Sequence, residues 1–147
     1  MFAVPENTIA STATAPTVHP ALIAREYAAN RDRWARLLRY DPDERFTALV
    51  HRGPGQEVWL MSWLPGQGTG RHDHGAASGA FTLVSGELTE HVVHRGLTHV
   101  VGVGQSRAFG PGYVHEVRNA GPDPAVSIHV YRAVRTMRDY ERLSRVS

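Results

Sequence analysis

The sequence contains no cysteine, which excludes a disulfide framework. This absence is compatible with the cytoplasm, where we expect the protein to act. No apolar stretch approaches the length of a membrane span, and the N-terminus lacks a charged region followed by an apolar one. Lysine and arginine form no run, and the formal net charge is only +2. We therefore expect neither a membrane nor a nucleic acid as a partner, and the sequence indicates no oligomeric state.

What the sequence does contain fits one small folded domain. Its 147 residues are enough to bury a core. Residues 1–19 are rich in alanine, threonine, proline and serine without periodicity, which predicts a poorly ordered tail. We assign residues 20–147 to a single domain, with a leading helix over 20–39 and a β-barrel over 45–134. Pro20 suits the first turn of that helix, and the turn Asp41-Pro42-Asp43 ends it.

Short segments of β character, separated by glycine and proline turns, follow the helix. They predict strands over 46–51, 57–64, 79–84, 88–94, 99–103, 106–109, 114–119 and 125–132. Many short strands of this kind imply a mainly β fold, either a sandwich or a barrel. A short helix is predicted over 136–145.

Three histidines are the most informative residues. His72 and His74 flank Asp73, and because strand residues two apart share a face, their two imidazoles aim at one point. His115 lies about forty residues further on, within reach if the sheet folds back on itself. Three neutral imidazoles can hold a first-row divalent metal and leave positions open for substrate, as a catalytic site requires. Zn, Ni, Cu and Fe all remain candidates on this ligand set alone.

Glycines frame both histidine segments. The segments read Gly66-x5-His72-x-His74 and Gly104-x5-Gly110-x-Gly112-x2-His115-x3-Asn119. They resemble the two metal-binding motifs of the cupin superfamily, which implies a double-stranded β-helix barrel, or jelly roll. Gly110 stands where proline is usual, and Ser78 and Gly79 occupy the positions of the usual glutamate ligand. The missing glutamate changes a site of three histidines and one carboxylate into a neutral three-histidine site.

The loss of this glutamate points to one branch of the cupin superfamily. Over roughly residues 35 to 134, the chain resembles the cysteine dioxygenase family of cupin thiol dioxygenases, bacterial type. The residues that carry this resemblance are His72-Asp73-His74-Gly75, His115 and Ser127-Ile128-His129-Val130-Tyr131. The resemblance implies that His72, His74 and His115 hold Fe(II), with positions left open for a small thiol and O2. It implies oxidation of the thiol, L-cysteine in the first place, to its sulfinic acid.

The resemblance also assigns Ser127, His129 and Tyr131 to a hydrogen-bonded relay. The three alternate on one predicted strand and so share a face. Tyr131 would donate a hydrogen bond to oxygen or to a substrate carboxylate, and His129 would fix the arrangement. Packed, hydrogen-bonded strand residues are the alternative interpretation.

Two positions bear on the substrate. Animal cysteine dioxygenases link a cysteine, near the position of Gly79, to the relay tyrosine, so we expect no Cys–Tyr thioether cofactor here. The family places a carboxylate-binding arginine on an early strand, where this chain has Thr47 or Ala48. We assign that role to Arg45, two residues from Thr47 and able to face the same way. A solvated charge at the strand end is the alternative for Arg45.

Three functional hypotheses follow from these residues. The first is an iron-dependent thiol dioxygenase, acting on L-cysteine or on another thiol such as 3-mercaptopropionate. The second is a different cupin enzyme, an isomerase or a dioxygenase of carbon substrates, and the missing glutamate counts against it. The third is a metal-binding cupin without catalysis.

Overall fold

A computed structural model describes residues 18–132 of the chain. The chain forms helix α1 and then strands β1 to β8, and their bounds are Pro20–Ala28, Phe46–Gly53, Gln56–Trp63, Ser78–Ser85, Leu88–Val92, Leu97–Val101, Ser106–Phe109, His115–Arg118 and Ala125–Arg132. Short 3-10 helices lie at Arg31–Arg33, Ala35–Leu37 and Val93–Arg95. The prediction of a mainly β fold with a leading helix is confirmed. The predicted tail, up to residue 17, and the helix predicted over 136–145 lie outside the described residues.

The eight strands form two sheets, with every neighbouring pair antiparallel. The larger sheet has the order β1-β2-β8-β3-β6, and the smaller has the order β5-β4-β7. Apolar side chains from both sheets pack into one core, which includes Phe81 of the larger sheet and Leu88 and Val117 of the smaller. The two sheets therefore enclose a common interior, and β8 lies at the centre of the larger one.

The side chains of β8 alternate between two hydrophobic cores, one on each face of the larger sheet. Val126, Ile128 and Val130 belong to a second core, which also contains Ala24 of α1. Tyr131, which points to the opposite face of the strand, belongs to the core between the sheets. Because successive strand residues point to opposite faces, the polar residues at 127 and 129 share the inner face with Tyr131. The helix thus covers the outer face of the sheet, and the inner face is left for the site.

The leading helix is shorter than predicted, because α1 ends at Ala28 and two 3-10 helices replace the rest of the segment over 20–39. Asn30 leaves helical geometry, with φ −117° and ψ 78°. This turn lets the fully buried Trp34 donate its indole N–H to the Tyr27 carbonyl at 2.8 Å. Burial of Trp34 against the helix end overrides the apolar periodicity from which the longer helix was predicted. His19, assigned to the tail, caps α1 by accepting from the Ala21 N–H at 3.0 Å.

The observed strands lie within two residues of the predicted ones at each end, and the differences of two residues are at the end of β1, which extends to Gly53, and around one turn. The strand predicted over 88–94 ends at Val92, and the one predicted over 99–103 spans Leu97–Val101. The cause is Gly96, whose left-handed φ of 62° closes the turn directly before β5. Within residues 18–132, no helix has the length and apolar character that crossing a membrane requires.

Candidate metal centre and its hydrogen-bond network

Backbone pairing brings the three predicted metal ligands together. His72 forms an isolated antiparallel bridge with His115, the first residue of β7, through two N–H to carbonyl bonds of 3.0 Å. His74 follows two residues after His72, and the rings of these two histidines lie 4.9 Å apart. One ligand nitrogen from each of His72, His74 and His115 lies within 4.8 Å of the others. Residues distant in sequence thus converge on one point.

Hydrogen bonds at Nδ1 direct the other ring nitrogen of two of these histidines to the centre. The Nδ1 of His72 lies 2.7 Å from the Gly70 carbonyl oxygen, and the Nδ1 of His115 lies 2.7 Å from Glu90 Oε2. A carbonyl and a carboxylate can only accept, so both Nδ1 atoms carry the hydrogen. In the neutral form of each ring, the lone pair is therefore on Nε2, which is the form that ligates a metal.

Burial keeps the first two histidines neutral. Desolvation lowers the pKa of His74 to about 2 and that of His72 to about 4. A metal ligand must be an unprotonated imidazole, and both rings meet this condition at neutral pH without the help of a metal. A set of three histidine nitrogens, two of them on rings that burial keeps neutral, fits a first-row divalent ion.

A buried carboxylate supports the third histidine. Glu90, on β4, is fully buried and also accepts from Arg107 Nε at 2.8 Å and from the Tyr113 hydroxyl at 3.2 Å. Burial acts to raise the pKa of Glu90, but hydrogen bonds from His115 and Arg107 outweigh it and hold that pKa below its ordinary value. Glu90 is therefore ionised behind His115. Carboxylates in this position orient a ligating histidine and increase its basicity.

Sequence reasoning missed Glu90, although β4 carries a signal. Leu88, Glu90 and Val92 alternate on the buried face of this strand, and a charged residue in such a row requires a partner. The partner could not be identified from the sequence, because it depends on the pairing of β4 with β7.

The predicted relay residues form a continuous hydrogen-bonded chain. Ser127 Oγ lies 2.7 Å from His129 Nε2, and the Tyr131 hydroxyl lies 3.4 Å from His129 Nδ1. Burial lowers the pKa of His129 well below its ordinary value, so its ring is neutral. The Tyr131 ring lies 4.9 Å from that of His74, which places the end of the chain beside the histidine cluster. Trp63 extends the chain by donating from Nε1 to Ser127 Oγ at 2.9 Å.

Gly79 stands directly across from the relay tyrosine. It is the partner of Tyr131 in the pairing of β3 with β8. A Cβ at this position would collide with the Val130 carbonyl oxygen and would approach Phe109 Cζ to 2.8 Å. The ring of Phe109 thus limits the side chain that this position, next to Tyr131, can accept.

Arg45, the predicted substrate ligand, directly precedes β1, and its side chain lies near the site. Its guanidinium lies 5.4 Å from the centre of the Trp63 ring, and its Nη1 lies 3.4 Å from Met61 Sδ. Burial lowers the pKa of His74, and the positive charge of Arg45 contributes a smaller lowering. The neighbouring Arg52 instead forms a 2.8 Å ion pair with the buried Glu57. Of the two arginines, Arg45 is the one whose charge acts on the histidine cluster.

Comparison with known proteins decides the family. The family model described as cysteine dioxygenase type I matches residues 16–143, nearly the whole chain. The chain belongs to the cysteine dioxygenase type I family. The positions of the three histidines and of the Ser-x-His-x-Tyr segment lie within the matched range.

Solved structures confirm the cupin fold. A protein from Thermus thermophilus is 25% identical, with a TM-score of 0.62 over 67% of this chain and 92% of its own. An uncharacterized protein from Klebsiella pneumoniae with a double-stranded β-helix domain is 26% identical, with a TM-score of 0.61 over 67% and 84%. A cupin 2 conserved barrel domain protein from Leptotrichia buccalis, 18% identical, has a TM-score of 0.57 over 67% of this chain and 45% of its own. The predicted cupin barrel with an N-terminal helix is thus confirmed.

Membership of the cysteine dioxygenase family, together with the histidine cluster, indicates a metal-dependent cupin. With no cysteine in the sequence, this member cannot form a Cys–Tyr crosslink. In its cluster all three ligand atoms are histidine nitrogens.

Proposed function

We propose that this protein is a non-haem iron thiol dioxygenase that oxidises a small thiol bearing a carboxylate, L-cysteine in the first place, to its sulfinic acid. The overall reaction adds both atoms of one O2 molecule to one thiolate sulfur and needs no external reductant. One observation carries the proposal. A cluster of three histidines lies beside a buried tyrosine, which is itself hydrogen-bonded into the Ser127–His129 chain.

His72, His74 and His115 would hold the metal. An Fe(II) ion bound by three neutral ligands retains its 2+ charge, which favours a deprotonated thiol, and it has positions open for thiol and dioxygen. Family membership supports iron, although the histidines alone would also accept Zn, Ni or Cu. Glu90 would hold His115 in the ligating orientation through its 2.7 Å bond to Nδ1.

Two residues of the chain would act on the substrate. Arg45 would bind the carboxylate through its planar guanidinium, and its position over the Trp63 ring supports this role. Tyr131 would present a hydroxyl proton at the edge of the cluster and orient the substrate by hydrogen bonding. Phe109, packed between Tyr131 and His74 at 5.7 and 4.7 Å between ring centres, would limit the water that reaches this edge.

Oxygen uptake across a thiol panel tests the proposal. Fe(II)-loaded protein is mixed with L-cysteine, 3-mercaptopropionate, cysteamine and homocysteine, and the sulfinate products are measured by mass spectrometry. We expect oxygen uptake matched by sulfinate for at least one carboxylate-bearing thiol, and less with cysteamine, which has no carboxylate. The preferred thiol also separates L-cysteine from 3-mercaptopropionate, because the second has no amine.

Two histidine variants provide the matched comparison. His74→Ala removes a residue of the cluster, and we expect loss of iron together with loss of uptake. His91→Ala changes a histidine on β4 whose Nδ1 lies 3.2 Å from the Thr98 hydroxyl, outside the cluster, and should leave both unchanged. If iron-replete protein oxidised none of the four thiols, the proposal would be wrong, and a metal-binding cupin without this activity would take its place.

A further inference from the structure

Trp63 touches both the relay and the predicted substrate arginine with different parts of one side chain. Its Nε1 edge donates to Ser127 Oγ at 2.9 Å, and its ring face lies 5.4 Å below the guanidinium of Arg45. The side chain is fully buried on the inner face of β2. A single indole thus connects two groups that the proposed function uses for different purposes.

We propose that Trp63 is a positioning residue that sets the direction of the Ser127–His129–Tyr131 hydrogen-bond chain, so that the tyrosine proton is directed away from His129. Its ring, in addition, supports Arg45. The kinetic consequences rest on the proposed function, whereas the direction of the chain is a property of the protein alone and can be measured without catalysis.

The direction follows from the donors and acceptors at Ser127. The indole N–H of Trp63 can only donate, so Ser127 Oγ must accept from it. Ser127 is fully buried, and within residues 18–132 its hydroxyl bonds only Trp63 and His129. A buried hydroxyl needs an acceptor for its own proton, and His129 Nε2 is the one available. Ser127 therefore donates to His129 Nε2 over 2.7 Å.

The direction of donation at Ser127 also fixes the hydrogen bond between the imidazole and the tyrosine. A neutral imidazole that accepts at Nε2 carries its hydrogen on Nδ1. This Nδ1–H faces the Tyr131 oxygen at 3.4 Å, so Tyr131 accepts from His129. The tyrosine's own proton is then not used in the relay. It is directed away from His129, on a tyrosine whose ring lies 4.9 Å from that of His74.

The surroundings hold Trp63 in the orientation that this role requires. Its backbone carbonyl accepts from the buried Asn119 amide at 2.9 Å, and the residue is paired with Ala125 of β8. The His129 ring is in turn stacked on Phe81 at 5.0 Å between ring centres. Neither the donor nor the imidazole can rotate without disturbing packed neighbours, so the direction of the chain is built into the fold.

Nitrogen NMR of the metal-free protein tests the direction of the chain. Protonated and unprotonated imidazole nitrogens differ widely in 15N shift, so the tautomer of His129 can be assigned directly. In the wild-type protein we expect the proton on Nδ1. A proton on Nε2 would overturn the proposal, and this result needs no variant and no substrate.

Two tryptophan variants test the cause. Trp63→Phe keeps a ring but removes the N–H, so we expect the Nδ1 tautomer to lose its preference and a mixture of both forms to appear. Trp34→Phe removes a comparable indole bond, the 2.8 Å bond to the Tyr27 carbonyl, from an equally buried residue outside the site. It should destabilise the protein without changing the His129 tautomer. An unchanged tautomer in Trp63→Phe would also overturn the proposal.

Steady-state kinetics distinguish the role of the indole N–H from that of the indole ring. With a carboxylate-bearing thiol, Trp63→Phe should lower kcat by about threefold to tenfold, the effect of one net hydrogen bond, with little change in KM. Trp63→Leu also removes the ring from below Arg45, so KM should rise by about twofold to tenfold. If NMR shows the Nδ1 tautomer and its dependence on Trp63 but no thiol is oxidised, the proposed function is wrong. The orientation of the hydrogen-bond chain by Trp63 still stands in that case.

Discussion

The carboxylate behind His115 offers a sharp test of the metal centre, through the substitution Glu90→Gln. Glutamine keeps the shape of the side chain and can still accept at the position of Oε2, which lies 2.7 Å from His115 Nδ1. The change removes the negative charge and replaces the oxygen that accepts from Arg107 Nε with an amide NH2 group. Loss of such an outer partner typically lowers metal affinity by about 10- to 100-fold, or roughly 1.4 to 2.7 kcal/mol. We expect the affinity of the protein for Fe(II) and for Zn(II) to fall by a factor in this range.

Competition titration against a chelator measures this affinity directly. Glu116→Gln is the matched control, because Glu116 follows His115 in the sequence but forms a surface ion pair with Arg71 at 3.3 Å. The control should bind metal as the wild type does. Thermal unfolding of the metal-free variants separates affinity from stability, since Glu90→Gln also deprives Arg107 of its charged partner. Wild-type affinity in Glu90→Gln would refute the role assigned to this carboxylate.

Further predictions concern the substrate pocket, packing and pH. Arg45→Ala should raise KM for a carboxylate-bearing thiol by about tenfold or more but leave cysteamine kinetics unchanged, which steady-state oxygen uptake would show. Gly79→Ala should lower the free energy of unfolding by about 1 to 3 kcal/mol in denaturant titration, because the new Cβ meets Phe109 and the backbone of β8. Burial lowers the pKa of His74 and of His129, so neither group affects the stability of the metal-free protein above about pH 6.5, and each destabilises the folded state as the pH falls below that value, because only the unfolded state binds the proton. Between pH 6.5 and 5.5, each of these two histidines should lower the free energy of unfolding by about 1 kcal/mol. An unfolding free energy that did not change with pH across this range would contradict their burial as neutral groups.

Much of the fold was predictable because it depends on local patterns. Alternation along β8 correctly placed the side chains of Ser127, His129 and Tyr131 on one face, since strand periodicity is independent of the neighbouring strands. The spacing of His72 and His74 also predicted their convergence, but not for the reason given, because His72 forms only an isolated bridge and His74 lies outside every strand. The end of α1 was not predictable from such patterns, because it is determined by the burial of Trp34 against Tyr27.

The groups around the site escaped prediction for a related reason. Glu90 and Trp63 act through partners 25 and 64 positions away in the sequence, and those contacts depend on which strands pair and in which register. The sequence marks both as inward-facing but does not say what they touch. The assignment of Arg45 to the substrate stays a prediction, since its placement beside Trp63 supports the role without testing it.

Isotope labelling gives the most direct test of the central claim. Fe(II)-loaded protein is supplied with 18O2 and the preferred thiol, and the mass of the sulfinate product is measured by mass spectrometry. The account predicts one sulfinate for each O2 consumed, with both of its oxygen atoms labelled. Product with one labelled oxygen or none, or oxygen uptake that yields disulfide instead of sulfinate, would contradict it.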